Sequence, residues 1–238
     1  MSNILTLKNK YRIVENGDSA ITLLFDLPAS EQLTKVIMQL SYLLKRRFTD
    51  ISALYELIPA YKSLTICFNP LKVSAQSISK LLEELLQEDL TGYVYLPSLI
   101  EIPVCYHQSL APDLDYIASY TGIKPQDVIS KHTQPEYLVH MLGFLPGFLY
   151  LGGLISELYC PRKQVPKLRI APGSVGIGGD QTGIYPVASP GGWHIIGQTP
   201  LNLFAVGTEK PFIAAPLDKI KFAEISLADF NEQSAQVR

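Results

Sequence analysis

The chain has 238 residues, 47% of them hydrophobic and 18% charged, which is enough apolar side chain for one large core or two smaller ones. Twenty basic and 22 acidic residues leave a net charge of -2, a balance with no footprint for nucleic acid or an anionic membrane surface. No apolar run approaches the ~18 residues of a spanning helix, no basic-then-apolar leader opens the chain, and the cysteines form no Cys-x-x-Cys pair, so the expectation is a cytoplasmic protein.

Residues 1–95 read as a small α+β domain. Tyr11 to Val14 and Ala20 to Phe25 are β-prone runs around Asn16-Gly17-Asp18, a hairpin signal. Ser30 is placed to cap a helix in which Leu33, Val36, Ile37, Leu40 and Leu44 recur at helical spacing. Lys45, Arg46 and Arg47 fall in its last turn, where cations suit the helix dipole. Two strands follow, Ile51 to Pro59 and Ser63 to Phe68, and Ser74 caps a second helix with Ile78, Leu81, Leu82, Leu85 and Leu86 on one face. The order ββαββα, closed by a strand near Leu99 to Cys105, predicts two helices on one face of an antiparallel sheet. Nothing in this half resembles a cluster built for chemistry.

Residues 96–238 form the second predicted domain. Two short helices lead it, one from about Asp113 to Tyr120 and stopping at Gly122, the other starting near Pro125 and ending around His132. From His140 to Phe204 the texture changes: 12 of the 16 glycines and seven of the 17 prolines lie here, which excludes helices of any length. Short strands remain, at 173–177, 193–196 and 201–204, and many short strands with Gly/Pro turns predict a barrel or sandwich.

Charge is distributed unevenly in this half. Between Ile170 and Thr208 only Asp180 is charged, while Arg162, Lys163, Lys167 and Arg169 crowd into eight residues without an acid. Such a loop is a candidate site for a carboxylate or a phosphate; a solvated loop of no function is the plainer alternative. Gln181, Thr182, Tyr185 and Ser189 can supply neutral donors and acceptors, and His140 and Tyr150 are the weak catalytic candidates. Pro190, Gly191, Gly192 and Trp193, which include the one tryptophan, could let a ligand or partner backbone approach closely. Cys160, followed by Arg162 and Lys163, is the best candidate for a reactive thiol, against the simpler reading of all three cysteines as buried hydrophobes.

The absences also constrain. No Lys follows a Gly, so there is no Gly-Lys-[Ser/Thr] phosphate loop. Ser174, in Pro-Gly-Ser-Val-Gly, lacks the first Gly of a nucleophile elbow. The four histidines show no zinc-binding spacing, so no metal site is expected.

Longer motifs carry a resemblance. His140-Met141-Leu142-Gly143-Phe144-Leu145-Pro146-Gly147-Phe148-Leu149-Tyr150-Leu151-Gly152-Gly153-Leu154 is similar to the (I/L)GFxPGFPYLxGL motif of the KipI family, also called the 5-oxoprolinase B subunit or allophanate hydrolase subunit 1. Pro161-Arg162 with residues 169–177, then Gln181-Thr182-Gly183-Ile184-Tyr185-Pro186 and Ser189-Pro190-Gly191-Gly192-Trp193, resemble its further segments. Leu149 stands where the family has Pro, Ala171-Pro172 inverts the usual order, and Lys167 replaces an Arg. The resemblance implies a cyclophilin-like β-barrel in the second domain. It further implies a KipA-like C subunit and a LamB/YcsF-type A subunit as partners, with 5-oxoproline hydrolysed to glutamate at the expense of ATP and no biotin on this chain. Arg162, Lys163, Lys167 and Arg169 would then bind substrate or phosphate where the C subunit docks. Two alternatives stand beside it: an inhibitor of a sensor histidine kinase, and part of a urea-carboxylase-like carboxyltransferase.

Overall fold

The computed structural model describes residues 10–48, 51–88 and 95–236. The chain divides into two compact units, Met1–Leu96 and Pro97–Arg238.

In the first unit, β1 (Tyr11–Glu15), β2 (Ala20–Phe25), β3 (Leu54–Pro59) and β4 (Ser63–Phe68) form an antiparallel sheet in the order β1-β2-β4-β3. Two helices pack on it, α1 (Glu31–Arg47) and α2 (Ala75–Leu85). Ser30 caps α1 by accepting from the Leu33 N–H at 3.2 Å, and Ser74 caps α2 from Ser77 at 3.1 Å. The period-two side chains of β2 and β4 (Ile21, Leu23 and Phe25; Leu64, Ile66 and Phe68) are buried with the period-3.6 stripes of the helices, which makes one core. The strand expected to begin at Ile51 begins at Leu54, behind a short 3-10 turn over Ile51–Ala53.

In the second unit, seven strands form one curled sheet in the order β12-β9-β10-β7-β6-β13-β5. They are β5 (Leu99–Val104), β6 (Glu136–Leu142), β7 (Leu149–Gly152), β9 (Ser174–Gly178), β10 (Gln181–Ile184), β12 (His194–Gln198) and β13 (Lys219–Glu224). The two outer strands meet at one bridge, where Cys105 and Gln198 exchange backbone hydrogen bonds of 2.8 and 3.0 Å. The strands β8 (Lys167–Ile170) and β11 (Ser189–Gly191), which flank β9 and β10 in the chain, pair antiparallel and stand apart as a two-stranded sheet. Helices α3 (Leu114–Thr121) and α4 (Pro125–Thr133) precede β6; α3 ends on Gly122, whose φ of 75° is the left-handed geometry a helix C-terminus favours. Helix α5 (Leu227–Gln236) closes the described chain.

Two expectations are corrected here. β5 does not close the first sheet; it pairs in parallel with β13, Leu99 opposite Lys219 through Val104 opposite Glu224, and buries Ile102 and Val104 in the second core. Residues 201–204 are not a strand. Thr199 Oγ1 accepts from the Leu201 N–H and Asn202 Oδ1 from the Phe204 N–H, both at 3.3 Å, so local side-chain bonds replace a ladder and leave only the bridge Phe204 to Phe212.

A fully buried polar centre in the core of the second unit is built on His132. Thr182 Oγ1 donates its single hydrogen to the Gly176 carbonyl at 3.0 Å, so at 2.9 Å from His132 Nε2 it must accept. Nε2 therefore carries the imidazole proton, and Nδ1 accepts from the Tyr106 hydroxyl at 2.8 Å. Tyr137 donates to the His132 carbonyl at 2.8 Å, and Phe222 stacks on the ring at 4.6 Å. Burial drives the imidazole pKa down to about 3, so it is neutral at any physiological pH.

Candidate functional site: an aromatic cleft beside the basic loop

Glycines on β9 and β10 create the floor of a cleft. A side chain at Gly178 would lie 2.6 Å from the Trp193 indole, and one at Gly183 would meet the Leu149 carbonyl at 2.5 Å and the same indole at 2.9 Å. The bare backbone thus lets Trp193 lie flat across two strands, with only 4% of its surface exposed. Phe148 meets Trp193 edge-on at 5.6 Å and Tyr185 at 5.0 Å, and Tyr150 leans on Phe148 at 4.7 Å. These four rings wall a cleft of about 470 Å³ whose rim includes Phe144, Arg162 and Gly192. Phe144 stands at the tip of the β6–β7 loop with φ 66°, a left-handed geometry that an aromatic residue adopts at a cost.

The loop carrying the cations is anchored by a residue the motifs did not reveal. Asp113, immediately before α3 and 7% exposed, spends no hydrogen bond on the helix end. Its Oδ2 accepts from the Ile195 N–H at 2.8 Å, its Oδ1 from Lys163 Nζ at 2.8 Å, and Lys167 Nζ lies 3.2 Å from both oxygens. Burial alone would raise the Asp113 pKa, but the hydrogen bonds from Lys163, Ile195 and Lys167 outweigh it and hold the carboxyl below its usual value. The Lys163 backbone N–H, bonded to the Gly192 carbonyl at 2.7 Å, ties the same loop to the cleft wall.

The expected site residues therefore separate. Tyr150, Arg162, Lys163, Tyr185, Pro190, Gly191, Gly192 and Trp193 come together around the cleft, as does Ser189. Lys167 lies behind it on Asp113, and Arg169 is exposed on β8 with no ion pair among the described residues. Thr182 is buried in the His132 centre, Gln181 is half-buried at the start of β10, and His140 packs against Gly152 on β7; none of these three lines the cleft. Trp193 is the floor rather than a projecting face, and the glycines that accommodate it are 178 and 183, whereas Gly191 makes room for the Tyr185 hydroxyl. Cys160 is 1% exposed, and burial raises its thiol pKa against the opposing charge of Lys163, which removes the reading of a reactive thiol.

Chemically the cleft binds more readily than it transfers protons. Burial pushes the Tyr185 phenol up to about 12, although the Trp193 backbone N–H and Arg162 oppose it. Burial raises Tyr150 in the same way against Arg162. Both are hydrogen-bond donors at neutral pH, and the lining contains no carboxylate, imidazole or thiol. His194, just behind, donates Nε2–H to the Pro161 carbonyl at 3.0 Å and stacks on Tyr116 at 4.5 Å; its Nδ1 is buried without a partner. Burial and Lys163 lower its pKa, so it too is neutral. Among the described residues no group of three or more His, Cys, Asp or Glu could hold a metal ion, and no helix is long and apolar enough to cross a membrane.

Comparison with known proteins defines the class. The family model for the carboxyltransferase domain, subdomain C and D, matches residues 11–214. The 5-oxoprolinase B subunit of Bacillus subtilis is 38% identical over 233 residues, 93% of this chain and 96% of that protein. The solved structure of TTHA0988 matches with a TM-score of 0.75 at 33% identity, over 87% of this chain but only 40% of that one. The Kluyveromyces lactis urea carboxylase matches with a TM-score of 0.78 over 95% of this chain and 23% of that one, at 20% identity, a likeness of fold alone. The chain belongs to this carboxyltransferase subdomain C and D family, in the branch whose curated members are named as the B subunit of 5-oxoprolinase.

Proposed function

We propose that the chain is the B subunit of a cytoplasmic, ATP-dependent 5-oxoprolinase that hydrolyses 5-oxo-L-proline to L-glutamate. It works with a KipA-like C subunit and a LamB/YcsF-type A subunit and is inactive alone. The observation that carries this reading is the near full-length match to the Bacillus subtilis protein of that name, covering 96% of it. The motif segments around Phe144 to Tyr150, Arg162 and Ser189 to Trp193 converge on one cleft, which supports a shared site rather than a shared scaffold.

The chemistry of the cleft supports dependence on partners. Opening a lactam needs a base or an activated nucleophile, and the lining contains neither at neutral pH. The missing groups, and the ATP site, would come from the other subunits. Val165 and Leu168, 81% and 91% exposed on the basic loop and β8, give such a partner an apolar surface to cover. The second, barrel-like unit is then a cyclophilin-like domain completed by another polypeptide. A coupled glutamate-release assay with ATP and 5-oxoproline, omitting each subunit in turn, tests the reading. Glutamate should form only with all three present; turnover by this chain alone, or full activity without it, overturns the proposal.

A further inference from the structure

The notable feature of the basic loop is how little of its charge remains available. Lys163 and Lys167 converge on Asp113 at 2.8 and 3.2 Å, and their side chains are only 18% and 38% exposed. Of the two cations that line the cleft, Lys163 and Arg162, only Arg162 is without an ion pair among the described residues. Its guanidinium lies 5.6 Å from the centre of the Trp193 ring. An arginine held over an aromatic face keeps its planar fork oriented and its N–H edge available, the geometry that receives one carboxylate through two bonds.

We propose that the cleft is a recognition site for a small ring-bearing monocarboxylate, with Arg162 taking the carboxylate and the aromatic box taking the ring, and that it is not a phosphate or nucleotide site. The inference rests on the proposed function, which supplies 5-oxoproline as the member of that class. Three observations support it. One guanidinium matches one negative charge, whereas a polyphosphate needs several cations or a cradle of backbone N–H groups. Phe148 meets Tyr185 and Trp193 edge-on, Tyr150 meets Trp193 edge-on and Phe148 at a tilt, so their faces and edges form an apolar slot suited to a compact ring. Ser189 also lines the cleft, and its Oγ is buried with no hydrogen-bond partner. Such an orphaned hydroxyl is uncommon, and the lactam amide of the ligand offers both the donor and the acceptor it lacks.

The molecule contains its own reporter, because Trp193 is the only tryptophan in the sequence and forms the floor of the cleft. Intrinsic fluorescence of the full chain, alone and with its partner subunits, is titrated with 5-oxoproline, 2-pyrrolidinone, inorganic phosphate and ATP. 5-Oxoproline should give a saturable change, and 2-pyrrolidinone, which lacks the carboxylate, should bind at least about tenfold more weakly. Phosphate and ATP should leave the signal unchanged. Arg162→Gln should weaken 5-oxoproline about tenfold or more, Arg162→Lys should recover part of the loss, and Ser189→Ala should weaken it several-fold. A circular dichroism spectrum matching wild type confirms that each variant folds. A saturable response to phosphate or ATP that Arg162→Gln removes overturns the inference, as does 5-oxoproline binding that survives that substitution unchanged. The two readings fail separately. Full glutamate release by a reconstituted Arg162→Gln complex with unaltered KM sinks the cleft while leaving the family role standing. Fluorescence binding without glutamate release in any combination sinks that role instead.

Discussion

Around His132 every polar atom has its partner, and the tautomer is fixed by the count of hydrogens; around the cleft the counts do not balance. Ser189 Oγ and His194 Nδ1 are buried and unpaired, and Asp113 serves two ammonium groups at once. Both regions belong to the second unit and meet on β10, which gives Thr182 to one and Gly183 to the other. The difference teaches where the chain invests in its own stability and where it leaves capacity for something else. A satisfied buried network specifies a fold, while unsatisfied groups cost stability that folding alone does not recover.

The sharpest way to break that contrast is at the satisfied centre. His132→Ala leaves a cavity and strips the Tyr106 hydroxyl of its acceptor, so urea unfolding should show a loss of about 4 kcal/mol. A loss under about 1 kcal/mol would mean that the network is not a stability element at all. The same residue should govern acid sensitivity. With its folded pKa at about 3, the native state stays unprotonated while the unfolded chain binds a proton below about pH 6.5. Stability therefore falls as pH drops from there, by about 3 kcal/mol on reaching about pH 4. Unfolding curves across that range should flatten in a His132→Gln variant.

Asp113 responds in a different window. Its folded pKa is depressed, so its contribution is present above the unfolded value of about 3.9 and is lost as pH falls through the folded one. Asp113→Asn should cost about 2 kcal/mol at neutral pH, discounted from a fully buried pair because Lys167 is partly solvated. The gap between variant and wild type should close in strong acid, and a constant gap would show that packing rather than charge is at stake. The smallest effect is expected at Ser189→Ala. Removing a buried hydroxyl that bonds nothing lifts its desolvation cost, so the unfolding free energy should stay level or rise by up to about 1 kcal/mol. A loss above about 1 kcal/mol would reveal a partner for Ser189 and weaken the contrast between the two regions.

Local chemistry was legible in the sequence wherever the deciding neighbours are a few residues away. Ser30, Ser74, Gly122 and Pro125 bound their helices because caps and turns act over three or four positions. The family motifs likewise led to Tyr150, Arg162, Tyr185 and Trp193, which share the cleft. What escaped is what long-range pairing decides. Asp113 read only as the start of a helix, since its partners Lys163 and Lys167 lie 50 and 54 residues on. Four cations in eight residues looked like one site for a carboxylate or a phosphate until the Asp113 carboxylate neutralised part of the cluster. Thr182 offered a hydroxyl with no sign that it would turn inward to an imidazole 50 residues earlier. Residues 201–204 have strand composition, but Thr199 and Asn202 capture the backbone N–H groups first.

The parallel pairing of β5 with β13 joins the first strand of the second unit to its last. Because β13 also pairs with β6, residues 219–224 lie between two strands made long before them. On the ribosome, at about 5–20 residues per second, those two strands wait several seconds or more for the segment that joins them. During that interval Ile102, Val104 and Tyr137 have only part of their eventual cover. In the first unit the corresponding wait, of β2 for β4, spans about half as many residues or fewer, so the later half of the nascent protein is the part left uncovered longest.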